Sequence, residues 1–503
     1  MAGHLPPRET LNVQESTKRI IKSLKPKTPK AELPKPTEEN QHVLDLVTST
    51  SDNLLLRCRA GTGKTTMFEM IEKAIPQQPI LYIVFGTKNQ KEAKEKMLST
   101  TDPRTFNSIG LQCWQSTMTA KVTLNEKKDR EILKTLIENS GPKSVRRELW
   151  DVYFDVIAAV AMAKSIGYVP DGKWSNAIRL ANRTELAAKL DSPPDDLIFE
   201  LTDEVLNRSI TAAYSGSCDY NDQVYMPALF GGTYPKPDLT LVDEEQDANP
   251  VNLQLLKRFG KGRVIGAGDE CQNIYGFRGA SADALAEAQA HWQMTECKLS
   301  ISFRCPQRVV EYARWRAPDF RWIKPGGHVE RLPNLGYKDI IENSAIICRN
   351  NAPLFKLGMQ LLQNGRSVAV AGSDIGPTLK GIMRRLGNDD TPRSRVLSLI
   401  EDWRQEKLAN ESKSADDIAD CMKVFATYGD TLGLAMKYVE HLFAQTGTLK
   451  LLTGHKSKGL EFDTVYLLDT WLLKEDLQDQ NLKYVMQTRS ANVLYEVNTQ
   501  DIR

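Results

Sequence analysis

The stretch Asn53-Leu54-Leu55-Leu56-Arg57-Cys58-Arg59-Ala60-Gly61-Thr62-Gly63-Lys64-Thr65-Thr66 restricts the fold more than any other part of the chain. Leu54 to Leu56 is an apolar run of the kind that forms a buried strand. Small residues follow, and Lys64-Thr65-Thr66 opens a helical pattern through Met67, Met70 and Ile71. Strand, glycine-rich turn and helix in that order are the context of a phosphate-binding loop. Gly61 and Gly63 let the backbone turn its N–H groups inward. The helix N-terminus adds unpaired donors and a positive dipole end. Ala60, Gly61, Thr62, Gly63, Lys64, Thr65 and Thr66 are therefore the candidate phosphate contacts. Lys64 is suited to the β- and γ-phosphates, and the Thr65 hydroxyl to magnesium. The strict pattern starts with glycine where Cys58 stands. The tighter Ala-x-Gly-x-Gly-Lys-Thr form fits when Ala60 is the small residue before Gly61.

A length of 503 residues suggests two to four domains with ample cores. The net charge of +2 balances 66 Lys+Arg against 64 Asp+Glu, so any nucleic-acid binding must come from a local groove. The 8 Cys form no Cys-x-x-Cys pair and the 6 His do not cluster with them, which predicts reduced thiols and no structural metal. No segment resembles a secretory signal or a membrane span. These features predict a soluble protein of a reducing compartment.

Lysines alternate with Pro26, Pro29, Pro34 and Pro36 near the start, which predicts a disordered basic tail over 1–35 that tethers DNA or a partner protein, or does neither. Thr37 with Asn40 reads as a half-formed cap before a helical run from His42. Gln41 offers an amide that both donates and accepts, the chemistry an adenine needs. A second buried strand, Ile80 to Phe85, leads into Gly86-Thr87-Lys88-Asn89 and a charged helix from Gln90. Arg104-Thr105-Phe106-Asn107 follows. Both segments lie at strand ends, where open α/β sheets place ligands. Phe85 and Phe106, with Lys88, Thr105 and Asn107, suit a single strand, but the two rings suit a core equally well. Residues 114–219 read as a helical insert. The alternation resumes at Leu239-Thr240-Leu241-Val242, ending in Asp243 and Glu244. The first carboxylate is suited to the same magnesium and the second to act as general base. After a further strand, Gln272 is placed to sense the γ-phosphate, and Tyr275, Phe277 and Arg278 to face nucleic acid.

With these residues in order, the chain resembles a UvrD/Rep-type superfamily 1 DNA helicase from Gln41 to about Val497. The wording of the motifs is closest to the F-box-helicase branch, without an F-box. Leu299-Ser300-Ile301-Ser302-Phe303-Arg304 resembles the motif whose ring packs on adenine and whose arginine touches the γ-phosphate. Thr453-Gly454-His455-Lys456-Ser457-Lys458-Gly459-Leu460-Glu461 resembles the motif that contacts DNA, through Thr453 and His455, and ribose, through Glu461. Asn481 to Ser490 resembles the last motif, whose arginine finger is Arg489. The departures are Phe303 for tyrosine, Gly86 and Thr87 for Thr-Asn, Asn107 for histidine, Phe277 for tryptophan, and Gln487 for a small residue.

The resemblance implies an α/β fold with two RecA-like parallel-sheet domains forming an ATP cleft, 36–113 with 220–290 and 291–388 with 447–503. Helical inserts are expected at 114–219 and, much reduced, at 389–446. Arg304 and Arg489 are expected to reach across from the second domain. The cofactors implied are ATP and Mg2+, and the partners are single-stranded DNA and its junctions with duplex. The expected location is cytoplasmic, at DNA: nuclear in a eukaryotic source and host cytoplasm in a viral one. The implied activity is 3′–5′ movement with strand separation. A translocase that displaces proteins and an ATP-gated clamp are the alternatives. A brief connection after Asp469 leaves room only for a blunt wedge at Trp471 and Leu472.

Overall fold

The computed structural model describes residues 33–372 and 375–503. Most of the basic tail therefore lies outside the described residues. Helix α1 (Glu38–Ser49) starts four residues before the expected His42. Its cap is complete: Asn40 N donates to Thr37 Oγ1 at 3.2 Å, and Thr37 N donates to Asn40 Oδ1 at 3.1 Å. Strand β1 (Leu54–Cys58), helix α2 (Lys64–Ala74) and strand β2 (Ile80–Ile83) follow. Helix α3 (Thr87–Lys96), edge strand β3 (Thr101–Arg104) and helix α4 (Phe106–Gln115) complete the first run.

The first insert comprises α5 (Lys128–Glu138), α6 (Lys143–Asp151), α7 (Tyr153–Ile166), α8 (Arg183–Lys189) and α9 (Asp196–Tyr214) around its own core. The chain then returns to the first lobe through α10 (Asp222–Leu229), β4 (Leu239–Val242), α11 (Pro250–Phe259), β5 (Arg263–Gly268), α12 (Ala284–Trp292) and β6 (Thr295–Leu299). The six strands pair in parallel in the order β3-β2-β4-β5-β1-β6. Strand β6 corrects the boundary expected at 290. It pairs with β1 along five residues, so the first lobe runs to about 300.

The apolar run in β1 has a simple cause. Successive side chains of a strand point to opposite faces. Leu54, Leu56 and Cys58 enter the layer under α1 and α2, while Leu55 enters the layer under α4 and α11. A parallel sheet covered on both faces therefore needs an unbroken apolar strand.

The second lobe contains α13 (Gln307–Ala313), β7 (His328–Leu332), β8 (Ala345–Cys348), α14 (Asn351–Gln363), β9 (Val368–Val370) and α15 (Ile375–Leu386). Helices α16 (Arg393–Ala409), α17 (Ala415–Tyr428) and α18 (Leu432–Phe443) form the second insert. Strands β10 (Leu449–Thr453) and β11 (Phe462–Leu468), helix α19 (Leu477–Gln487) and strand β12 (Ser490–Val497) close the chain. The parallel strand order is β7-β12-β11-β8-β10-β9. Ile400, Phe425 and Val439 of the insert share one core with Ile346, Leu451 and Leu468 of the sheet. The reduced insert is thus a cap on the second sheet. No helix among the described residues is long and apolar enough to cross a membrane.

A buried carboxyl after β4 sits against a glycine of β5. Glu245 is fully buried, and neither of its carboxyl oxygens has a hydrogen-bond partner among the described residues. A Cβ on Gly266 of β5 would lie 1.9 Å from Glu245 Oε2, so the glycine makes room for it. Burial pushes the carboxyl up to about 8 from an ordinary 4.5. Between these values the native state holds a proton that the unfolded chain has lost, so stability falls as pH rises through that window. Thermal denaturation should therefore show a Tm that declines from about pH 5 to 8. Glu245→Gln should flatten the decline, and parallel curves for the two proteins would refute the assignment.

Candidate functional site

The loop after β1 is held from several sides. Gly61 and Gly63 have φ of 71° and 78°, the left-handed region glycine tolerates. Phe303 N donates to Gly61 O at 2.9 Å, Ser302 Oγ donates to Ala60 O at 2.9 Å, and Ala60 N donates to the Tyr484 hydroxyl at 3.2 Å. A Cβ on Gly61 would meet Arg304 Cβ at 2.6 Å. The Thr62 hydroxyl donates to Arg59 O at 2.9 Å. Gly63 caps α2 without any side-chain bond, which leaves the first-turn N–H groups for an anion.

Two acidic residues meet this loop. Glu244 follows β4 in a left-handed conformation, φ 51°, and its Oε1 lies 2.9 Å from the Lys64 ammonium. Its Oε2 accepts from Gln246 Nε2 at 2.5 Å. The Tyr82 hydroxyl donates to Asp243 Oδ2 at 3.0 Å and has the Thr65 side chain as a neighbour. Thr65 and Asp243 therefore converge on one phenol oxygen. Burial opposes charge at all of these groups. Lys64 and then Lys458 outweigh it at Glu244 and hold that carboxylate at about 2. Burial and the Glu244 charge together push Asp243 up to about 6. At Lys64 burial is overcome by Glu244 and Asp243, and the ammonium stays above its ordinary range.

Residues of the second lobe approach the same loop. Arg489 is 1% exposed and donates to Val485 O at 2.9 Å, Leu460 O at 3.2 Å and Gln272 Oε1 at 3.3 Å. Gln272 in turn donates to Asp269 Oδ2 at 2.6 Å. Burial and the nearby Arg304 lower Arg489 to about 10. Arg304 donates to Glu461 Oε2 at 2.7 Å. Its segment, directly after β6, is the linker between the two sheets. Phe303 Cδ2 stands 3.8 Å from a Cβ position on Gly63. Gln41 is exposed and donates to Asp45 at 2.8 Å.

Beside this cleft lies an aromatic and basic surface. Phe277 is 55% exposed and meets His455 edge-on at 5.1 Å. Arg278 lies over Tyr275 at 5.3 Å and over Phe277 at 5.5 Å. Thr453 caps the one-turn helix that carries His455. Burial and then Arg349 lower His455 to about 4, so its ring is neutral near pH 7.

The expectations at the end of β3 need correction. Phe106 is buried, 4% exposed, and packs edge-on against Phe85 at 5.5 Å. Phe106 belongs to the core under α4 and α11 and is not placed to stack on a base, while the half-buried Phe85 packs against that core. The buried Thr105 hydroxyl caps α4, Asn107 donates to Tyr220 O at 2.7 Å, and the exposed Lys88 lies 3.8 Å from Glu92.

Other residues that bond across the cleft were not singled out from the sequence. The Lys458 ammonium lies 2.7 Å from Asp247 Oδ1 and 2.7 Å from Gln272 O, and it sits 4.9 Å from the Tyr275 ring centre. Asn481 donates to Asn273 O at 2.9 Å. Tyr82 and Tyr484 read as strand and helix core; only the placement of their hydroxyls shows another role. The one available signal for Lys458 was its position three residues before Glu461.

Residues 233–293 match the UvrD/REP helicase N-terminal domain. That span holds β4, β5, Asp243, Glu244, Gln272, Phe277 and Arg278. F-box DNA helicase protein 1 of Schizosaccharomyces pombe is 24% identical over 514 residues, covering 91% of this chain and 57% of that protein. An Acanthamoeba polyphaga mimivirus protein described as an ATP-dependent DNA helicase is 26% identical over 267 residues, covering 50% of this chain and 33% of that one. These findings make the chain similar to UvrD-like superfamily 1 helicases. The chain spans about half the length, or less, of these curated relatives. A solved arterivirus nonstructural protein 10 helicase aligns over 91% of this chain and 61% of its own, at 11% identity and a TM-score of 0.34, too distant to carry an argument.

The Lys458–Asp247 pair is buried between the two lobes of this UvrD-like chain, with both side chains 8% exposed. Removing one partner of such a pair leaves the other charge unpaired, at about 3–5 kcal/mol. Lys458→Met should lower Tm by several degrees. Adding Asp247→Asn should recover part of the loss, and a double variant no more stable than the single one would show that the pair does not join the lobes.

Proposed function

We propose that the chain is an ATP-driven motor on single-stranded DNA, moving 3′–5′ and separating duplex as it advances. The observation that carries this reading is the convergence on one loop of Lys64, Asp243, Glu244 and Gln272 from one lobe with Arg304 and Arg489 from the linker and the other lobe. The direction of movement rests on the resemblance to UvrD/Rep-type helicases.

In the resting cleft, Lys64 is held by Glu244. A triphosphate seated at the N-terminus of α2 competes for that ammonium. Once Lys64 moves to the phosphates, Glu244 loses its strongest attraction and becomes more basic, as a general base for water requires. Thr65 and Asp243 fit magnesium: both are hard oxygen donors, and they meet at Tyr82. A set with few protein ligands suits this ion, which keeps waters and phosphate oxygens. When bound, it would neutralise phosphate charge. Arg304 and Arg489 supply positive charge to the opposite side of the γ-phosphate. Its loss weakens the attraction between lobes, and Phe277, Arg278 and His455 lie where that relaxation can shift a strand.

Strand separation of limited strength is the second reading. Between β11 and α19 the chain makes only a short turn, Thr470–Leu472, with Trp471 70% exposed at its tip. That is a blunt wedge beside the strand surface. Duplexes with a 3′ or a 5′ single-stranded tail separate the readings: opening of the 3′-tailed duplex alone supports a helicase, and opening of neither supports a translocase.

Lys64→Ala and Glu244→Gln should each lower DNA-stimulated ATP turnover by roughly 10²–10⁴-fold. Near-normal turnover in either would remove the mechanism. Phe277→Ala should weaken strand binding about tenfold, within the range for a lost stacking ring. Unchanged affinity would take that ring out of the strand path.

A further inference from the structure

Helix α6 of the first insert carries Lys143, Arg146, Arg147 and Trp150. The spacing i, i+3, i+4, i+7 sets all four on one side of a helix. All four are exposed, while Leu149 on another side is buried and anchors the helix. None of the three cations makes an ion pair within the described residues. The rings continue onto α7: Trp150 lies 5.2 Å from Tyr153, and Tyr153 lies 5.2 Å from Phe154, which is 64% exposed. Arg385 of the second lobe completes the patch, its guanidinium 5.4 Å from the Phe154 ring centre.

We infer that this patch is a second binding site for single-stranded nucleic acid, separate from the cleft surface and completed across the two lobes. Unpaired cations match a phosphate backbone. Exposed rings match unpaired bases, which a duplex does not offer. The position also fits. Ser165, near the far end of α7, donates to Arg278 O at 2.8 Å, so α7 runs from the cleft surface to the patch. The twelve residues from Tyr153 to Ser165 span about 18 Å, or about five stacked nucleotides at about 3.4 Å each. One strand could therefore occupy both places. The inference rests on the chain binding single strands at all, which is part of the proposed function.

The test uses the full chain and a labelled oligothymidylate of about 30 nucleotides, long enough to span both sites. The variants are Lys143→Ala/Arg146→Ala/Arg147→Ala and Trp150→Ala/Phe154→Ala, all at exposed positions. The charge variant should lower the slope of log affinity against log salt by about 2, at about 0.7 per phosphate contact. The ring variant should weaken binding about tenfold or more, and should leave affinity for an abasic strand of the same length unchanged. Both should keep wild-type ATP turnover at saturating strand, because the cleft is untouched. Unchanged affinity and salt slope in both variants would overturn the second site alone. A charge-variant loss that is equal on blunt duplex, with the ring variant silent, would make this a duplex-backbone surface and overturn the single-strand assignment. Wild-type protein that binds no strand would overturn the strand-binding reading as well.

Discussion

Everything in the cleft depends on the 2.9 Å contact between Lys64 and Glu244. The two opposite charges neutralise each other in a site where burial disfavours both. Burial raises both carboxyls, but Lys64 overcomes it at Glu244, while at Asp243 burial and then the Glu244 charge prevail. The pairing also defines what a triphosphate must do. In the proposed mechanism it must offer Lys64 more negative charge than one carboxylate does, and in taking the lysine it frees Glu244.

The two sheets keep this contact in register with the second lobe. Strand β6 pairs with β1 and runs directly into Ser302, Phe303 and Arg304, which lie over Gly61. Tyr484 and Asn481 on α19 bond the backbone of the first lobe. Lys458 reaches Asp247, three residues beyond Glu244. A shift of the second lobe therefore acts on the loop, the base and Gln272 together. The same segment carries His455 against Phe277, so the proposed strand surface and the cleft share it.

Much of this was legible in the sequence because the chemistry is local. The β1 loop, the acidic pair after β4 and the aromatic turn after Gln272 announce themselves within a few residues. Strand β6 did not: Thr295, Glu296 and Lys298 are exposed on an edge, so it lacks the apolar run of the central strands. Phe85 and Phe106 were ambiguous because a ring at a strand end serves a core or a base equally well, and only packing decides. The second insert was expected at 389–446 from length alone, and only the packing shows its apolar faces buried against the second sheet. Lys458 and Asp247 are 211 residues apart, a pairing that no local pattern encodes.

The most direct measurement is a structure of the chain with magnesium and a non-hydrolysable ATP analogue. The account predicts that the Lys64 ammonium leaves Glu244 for the phosphates, with Arg304 and Arg489 approaching the γ-phosphate from the other side. A bound analogue with the Lys64–Glu244 contact intact, or with both guanidinium groups turned away from the γ-phosphate, would contradict it.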